Sequence, residues 1–177
     1  MKENLKFLLI AILCQCCSLK HKHIEIIVWE WSGKEITVPN QIEYTFLGRD
    51  TICSDLWDKT YKIFIYFDSI GCSICKMGLS NWIELIEICE KQKMDVAFLF
   101  VVHSSNYHMF NIEIIENQFN YPIIFDYNNN FDKLNHFPPD PYRTFLLDKD
   151  NKVILIGSPI NNNAMWELYK RVITQSQ

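Results

Sequence analysis

Two cysteines separated by two residues, Cys72 and Cys75, are the side chains in this sequence best suited to covalent chemistry. A thiolate can attack a disulfide, and a second thiol one helical turn on can close the ring and release the partner. The residues before them, Tyr61 to Phe67, read Y-K-I-F-I-Y-F. That run is β-branched and aromatic and too short for a helix, so it predicts a buried strand. A turn is expected at Asp68, Ser69 and Gly71. Apolar residues then recur at Leu79, Trp82, Ile83, Ile86 and Cys89, the three-and-four spacing of a helix face laid on a sheet. The pair is thus expected where a strand hands over to a helix. Unpartnered N–H groups and the positive end of the helix dipole would there favour a thiolate on Cys72.

Strand, then Cys72-Ser73-Ile74-Cys75-Lys76-Met77, then an amphipathic helix resembles the redox centre of the thioredoxin superfamily. The whole chain looks most like the exported, TlpA-like branch and its thioredoxin-like bacterial lipoproteins. Three further stretches carry the resemblance in the usual order: Trp31-Ser32-Gly33-Lys34-Glu35-Ile36, Leu134-Asn135-His136-Phe137-Pro138, and Thr144 through Val153. It covers about residues 30 to 175 and is specific as a set, where C-x-x-C alone is a weaker signal. It implies an α/β thioredoxin-like fold, a central mixed sheet with flanking helices, here with an N-terminal β-hairpin extension. It also implies that Cys72 and Cys75 are catalytic, that Gly71, Pro141 and Tyr142 bind substrate, and that no cofactor or metal is required. The implied partners are protein thiol or disulfide clients and a membrane electron-transfer partner, with the chain itself a monomer.

The sequence departs from the family at three points. Gly71 stands where a Trp commonly precedes the first cysteine, which lets a substrate backbone approach closely. The carboxylate often buried six residues before that cysteine falls on Tyr66; Asp68 could act in its place through a water, although a solvated turn residue or cap is the plainer reading. The proline that such proteins hold in cis opposite the dithiol falls on Tyr142. Either Asp140-Pro141 supplies the cis bond in a shifted loop or the feature is absent. His136, just before this loop, could tune the thiolate, ligate a metal or simply pack half-buried.

Rival readings of the pair are less economical. A disulfide closing so small a loop constrains the unfolded chain little, and zinc would need two more ligands where no second C-x-x-C or H-x-x-x-H exists after Cys17. A redox-inactive binding module holding a peptide or a copper ion near Cys72, Cys75 and His136 remains the alternative. A peroxidase is weaker still, because the Thr and Pro that surround a peroxidatic cysteine are missing.

The whole chain bounds these readings. It has 177 residues, 49% hydrophobic and 21% charged, which suits one globular domain. Net charge is -4, with basic residues scattered, which argues against a nucleic-acid partner. No phosphate-cradling Gly-rich loop or internal repeat is present. Lys2 and Lys6 precede an apolar run from Phe7 to Leu13, too short to span a bilayer but suited to a secretory signal, and Cys14, Cys16 and Cys17 close it. Residues 1–17 are therefore expected to be a lipoprotein-type signal with lipid attached at Cys17, or alternatively at Cys16. Residues 18–23 form a tether and 24–177 the domain, placed outside the cytoplasm on the cell envelope, at a periplasmic or outer-membrane face. Of the remaining cysteines, Cys89 is expected in the core, and Cys53 lies in a polar turn with no assigned role.

The other elements follow from pattern. Ile24 to Trp29 and Glu35 to Val38 predict the N-terminal hairpin, and Tyr44 to Leu47 another short strand. Val96 to Val102 predicts a central parallel strand, with His103-Ser104-Ser105-Asn106 capping a helix over Tyr107 to Phe119. Pro122 to Asp126 predicts a strand and Phe131 to Asn135 a helical turn. Thr144 to Leu147 and Val153 to Ile156 predict a hairpin, and Ala164 to Ile173 the closing helix. The order is β-α-β-α-β-β-α.

Overall fold

The computed structural model describes residues 22–69 and 77–175. Its elements are α1 (22–31), β1 (Glu43–Phe46), β2 (Arg49–Thr51), a 3-10 turn at Ser54–Asp58, β3 (Tyr61–Ser69), α2 (Leu79–Lys91), β4 (Val96–Ser104), α3 (Tyr107–Glu116), β5 (Ile123–Phe125), α4 (Asn130–Asn135), β6 (Thr144–Leu147), β7 (Val153–Ile156) and α5 (Asn163–Gln175). The strands form one mixed sheet in the order β2-β1-β5-β4-β3-β6-β7. The central strands β3, β4 and β5 run parallel, and β6, β7, β1 and β2 add antiparallel pairs on either side.

Hydrophobic alternation explains the layers. Along β3, Ile63 and Ile65 face one way and Phe64 and Tyr66 the other, and all are buried. On the first face they meet Trp82, Leu85, Ile86 and Cys89 of α2, Phe110 and Ile114 of α3, and Tyr169 and Ile173 of α5. On the second face, Phe64 and Tyr66 join Ile27 and Trp31 of α1, Phe131 of α4, Phe137 and Phe145. Each such large apolar side chain contributes about 1.5–3 kcal/mol by leaving water. The aromatic rings stack closely, Trp31 on Phe145 at 5.0 Å and Tyr66 on Phe137 at 4.6 Å between centroids.

Three expectations are corrected. The stretch from Ile24 to Trp29 is not a strand of a hairpin: 22–31 is helical, because Ile27 and Trp31, four apart, are the positions that bury. The helix already includes residues 22 and 23, assigned above to the tether. Glu35 to Val38 likewise forms no strand. It makes a single bridge, Glu35 with Lys152, flanked by hydrogen bonds from Gly33 N to the Val153 carbonyl at 2.8 Å and from Ile36 N to that of Asn151 at 2.9 Å. A hairpin is present near the N-terminus, but β1 and β2 make it. Finally, Asp68 and Ser69 are not a turn. They extend β3 and pair with His103 and Ser104, which in turn lengthen β4 beyond Val102.

Candidate redox site

The C-terminal ends of the parallel strands gather the polar side chains. Ligand-binding crevices in open α/β sheets commonly form at these ends, because the connections there leave the sheet in different directions. Asp68 on β3 and His103 on β4 are register partners on the same face as Tyr66. His103 Nδ1 donates to the Asp126 carbonyl at 2.9 Å, and the Tyr107 hydroxyl donates to the same oxygen at 3.0 Å. The Asp126 carboxylate is buried and used at both oxygens, accepting from Asn130 N at 2.7 Å and Phe131 N at 2.8 Å. It thereby satisfies two orphan donors at the start of α4.

Residues 138–143 lie against the end of β3. Tyr66 N donates to the Arg143 carbonyl at 2.9 Å. The Arg143 side chain reaches back over the Tyr66 ring at 5.6 Å, donates from Nε to the Pro138 carbonyl at 2.8 Å, and pairs with Asp68 Oδ2 at 3.4 Å. One guanidinium thus fastens the loop to the strand. Asp68 is accordingly an ion-paired, half-buried strand residue and not a solvated turn, with its Oδ1 buried and without a described partner. Tyr66 is 2% exposed; its hydroxyl donates to Asn129 Oδ1. Burial first, then Asp132, Asp68 and Asp126, push its phenol well above the usual range against the pull of Arg143. It is a neutral donor, not a proton acceptor.

The peptide bond between Asp140 and Pro141 is cis, the first of the two arrangements the sequence allowed. Pro141 is exposed. Tyr142 is half-buried, donates its N–H to the Pro139 carbonyl at 3.1 Å, and meets the His23 ring edge-on at 6.5 Å. His136 is exposed at the end of α4 with φ of 55°, so it neither packs half-buried nor joins this cluster. Gly71, Cys72 and Cys75, with the lipid-attachment candidates Cys16 and Cys17, lie outside the described residues. Helix α2 begins at Leu79, directly after Gly78, whose φ of 62° places it in the left-handed region at the helix start. Cys89 is 2% exposed, and burial pushes its thiol up to about 12. Cys53 is half-buried; both thiols are unpaired. Among the described residues no His, Cys, Asp and Glu group could hold a metal, and no helix is long and apolar enough to cross a membrane.

Sequence reasoning missed His103, Tyr107, Asp126 and Arg143 as neighbours. His103 was read as part of a cap, and nothing in its local spacing shows that β4 continues through it. Lys62, wholly buried near the start of β3, was invisible for a similar reason. Its Nζ donates to the carbonyls of Lys149 at 3.0 Å, 87 residues away, and of Trp57 at 3.4 Å.

This architecture is the thioredoxin-like fold. Solved structures share it: the thioredoxin domain of a thiol-disulfide oxidoreductase from Bacteroides vulgatus, at 13% identity and a TM-score of 0.59, covers 81% of this chain and 98% of its own. A protein from Chlorobium tepidum described as a thiol:disulfide interchange protein, DsbE, is similar at 14% identity and a TM-score of 0.61, over 80% of this chain and 97% of its own. An exposed lipoprotein thioredoxin from Streptococcus pneumoniae is similar at 18% identity and 0.52, over 73% and 97%. Neither a protein-family model nor a curated protein matches the sequence.

Proposed function

We propose that the protein is a membrane-anchored, extracytoplasmic thiol-disulfide oxidoreductase that acts on protein disulfides through Cys72 and Cys75. The observation that carries this reading is topological. Cys72 follows the end of β3 by three residues and Cys75 precedes Met77 by two, so the dithiol belongs to the strand-to-helix connection of a thioredoxin-like fold. The loop of Pro141 and Tyr142 is fastened to that same strand end by Arg143. In the proposed cycle, Cys72 thiolate attacks one sulfur of a client disulfide, forming a mixed disulfide and releasing the other client sulfur as a thiolate. Cys75 thiolate then attacks Cys72 Sγ, which frees the second client thiolate and leaves Cys72 and Cys75 joined. Two electrons have passed to the client, and a membrane dithiol partner returns them; run backwards, the same steps oxidise a client. Gly71, Pro141 and Tyr142 would hold the client backbone.

The location rests on the apolar run from Phe7 to Leu13 and on Cys17, supported by a structural neighbour described as an exposed lipoprotein thioredoxin. Trapping tests the enzyme directly. Cys75→Ser should accumulate mixed disulfides with client proteins while Cys72→Ser accumulates few, because only the attacking thiolate makes the first bond. Equal trapping by both variants refutes the division of labour. No disulfide between Cys72 and Cys75 in the oxidised wild type removes the oxidoreductase.

A further inference from the structure

Helix α1 has two apolar faces, and only one of them is used. Ile27 and Trp31, each 4% exposed, pack into the second core. On the opposite side of the helix lie Ile26, 53% exposed, and Trp29, 83% exposed, three residues apart and therefore neighbours on one face. With Lys22 and Glu25 they line a shallow depression of about 340 Å³. The other four tryptophans are buried or half-buried, so Trp29 is the exception in this chain. A large ring left in water costs stability and serves no packing need in the domain.

We propose that this outer face of α1 lies on the phospholipid surface to which the chain is tethered, an inference that rests on the anchoring at Cys17 proposed above. Length is the first argument. Four residues, 18–21, separate Cys17 from Lys22, and the five residue steps between them span at most about 18 Å when fully extended, so α1 is held within one protein layer of the headgroups. Chemistry is the second. Tryptophan and isoleucine on an exposed helix face suit the interfacial zone, where an indole keeps its ring in the acyl boundary and its N–H among polar groups. Charge is the third, because the approach to the helix, Lys20-His21-Lys22-His23, is basic in an otherwise acidic chain and complements anionic headgroups. Docking would also orient the domain: the His23 ring meets Tyr142 at 6.5 Å, so the loop beside β3 would sit close to the bilayer, within reach of a membrane electron-transfer partner.

The test uses the full lipidated chain reconstituted into vesicles of phosphatidylethanolamine and phosphatidylglycerol, with and without bromine on the acyl chains. Flotation reports anchoring, and bromine quenching of tryptophan emission reports contact. The wild type should float and lose emission in brominated vesicles; Trp29→Phe should still float but lose most of that quenching. Ile26→Glu should float with weakened quenching. A wild type that floats unquenched, or a Trp29→Phe protein quenched as strongly as wild type, overturns the docking while leaving the anchor intact. A protein that does not float takes down both. Shielding of Trp29 that grows with protein concentration in detergent, without bilayers, assigns the face to a second copy of the chain and overturns the proposal.

Discussion

At the scale of single residues, burial separates the thiols. Burial holds Cys89 up at about 12, against an ordinary 9.0, so at neutral pH its native thiolate fraction is about a thousandfold below that of an unfolded chain. Alkylation of the reduced native protein should therefore modify Cys72 fastest and Cys53 before Cys89, with Cys89 reacting only as the protein unfolds; early modification of Cys89 by mass spectrometry would contradict its place in the core. The linkage has a definite sign. Because the folded value is raised, the stabilisation from the Cys89 thiol is complete below pH 9 and disappears as pH rises towards 12. The stability difference between wild type and Cys89→Ala, from urea unfolding, should therefore narrow across that window. Arg143 offers a second test. Arg143→Met removes a bond to the Pro138 carbonyl and leaves the Asp68 carboxylate half-buried without its cation, which should cost about 2 kcal/mol. Adding Asp68→Asn should cost less in that background than alone, and strict additivity in the double-mutant cycle would show the pair is not coupled.

Elements show which parts of the fold local sequence can specify. Strands β6 and β7 fall at the residues that pattern alone indicated, because Asp148-Lys149-Asp150-Asn151 encodes its own turn and Asn151 takes a φ of 60°. Helix α3 starts at Tyr107 for an equally local reason: Asn106 Oδ1 accepts from Met109 N at 3.1 Å. Asn106→Ala should lower stability by about 1 kcal/mol, visible as a shifted urea midpoint with an unchanged slope. Where tertiary partners decide, the pattern misled. The run from Ile24 to Trp29 has strong strand propensity, yet it packs on the second core through Ile27 and Trp31 at helical spacing. Asp68 looked like a turn because an acid at the end of an apolar run usually is one. Its cation lies 75 residues away on Arg143, which no local window contains. The C-x-x-C spacing is read from the sequence alone and lies outside the described residues, whereas the polar cluster at the strand ends has no local signature, since it is assembled from β3, β4, the end of β5, α3 and a loop.

For the whole molecule, the segment from Gly33 to Ile36 decides how the sheet ends. A strand with one side unpaired is a template on which another chain can lay its own backbone. Here β7 is covered at its first residue by the chain's own N-terminal segment, Gly33 N bonding to the Val153 carbonyl, Val153 N to that of Lys34 at 2.9 Å, and Ile36 N to that of Asn151 just before the strand. At the other margin, β2 is only three residues long and carries Arg49 and Asp50 exposed. One margin is thus covered where β7 begins and the other is short and charged, and both features disfavour strand addition. Gly33→Val would strain a backbone at φ of 76° and loosen this cover. The expected result is a protein that still folds but forms thioflavin-positive aggregates on mild heating, while the wild type shows no rise in light scattering over the same range.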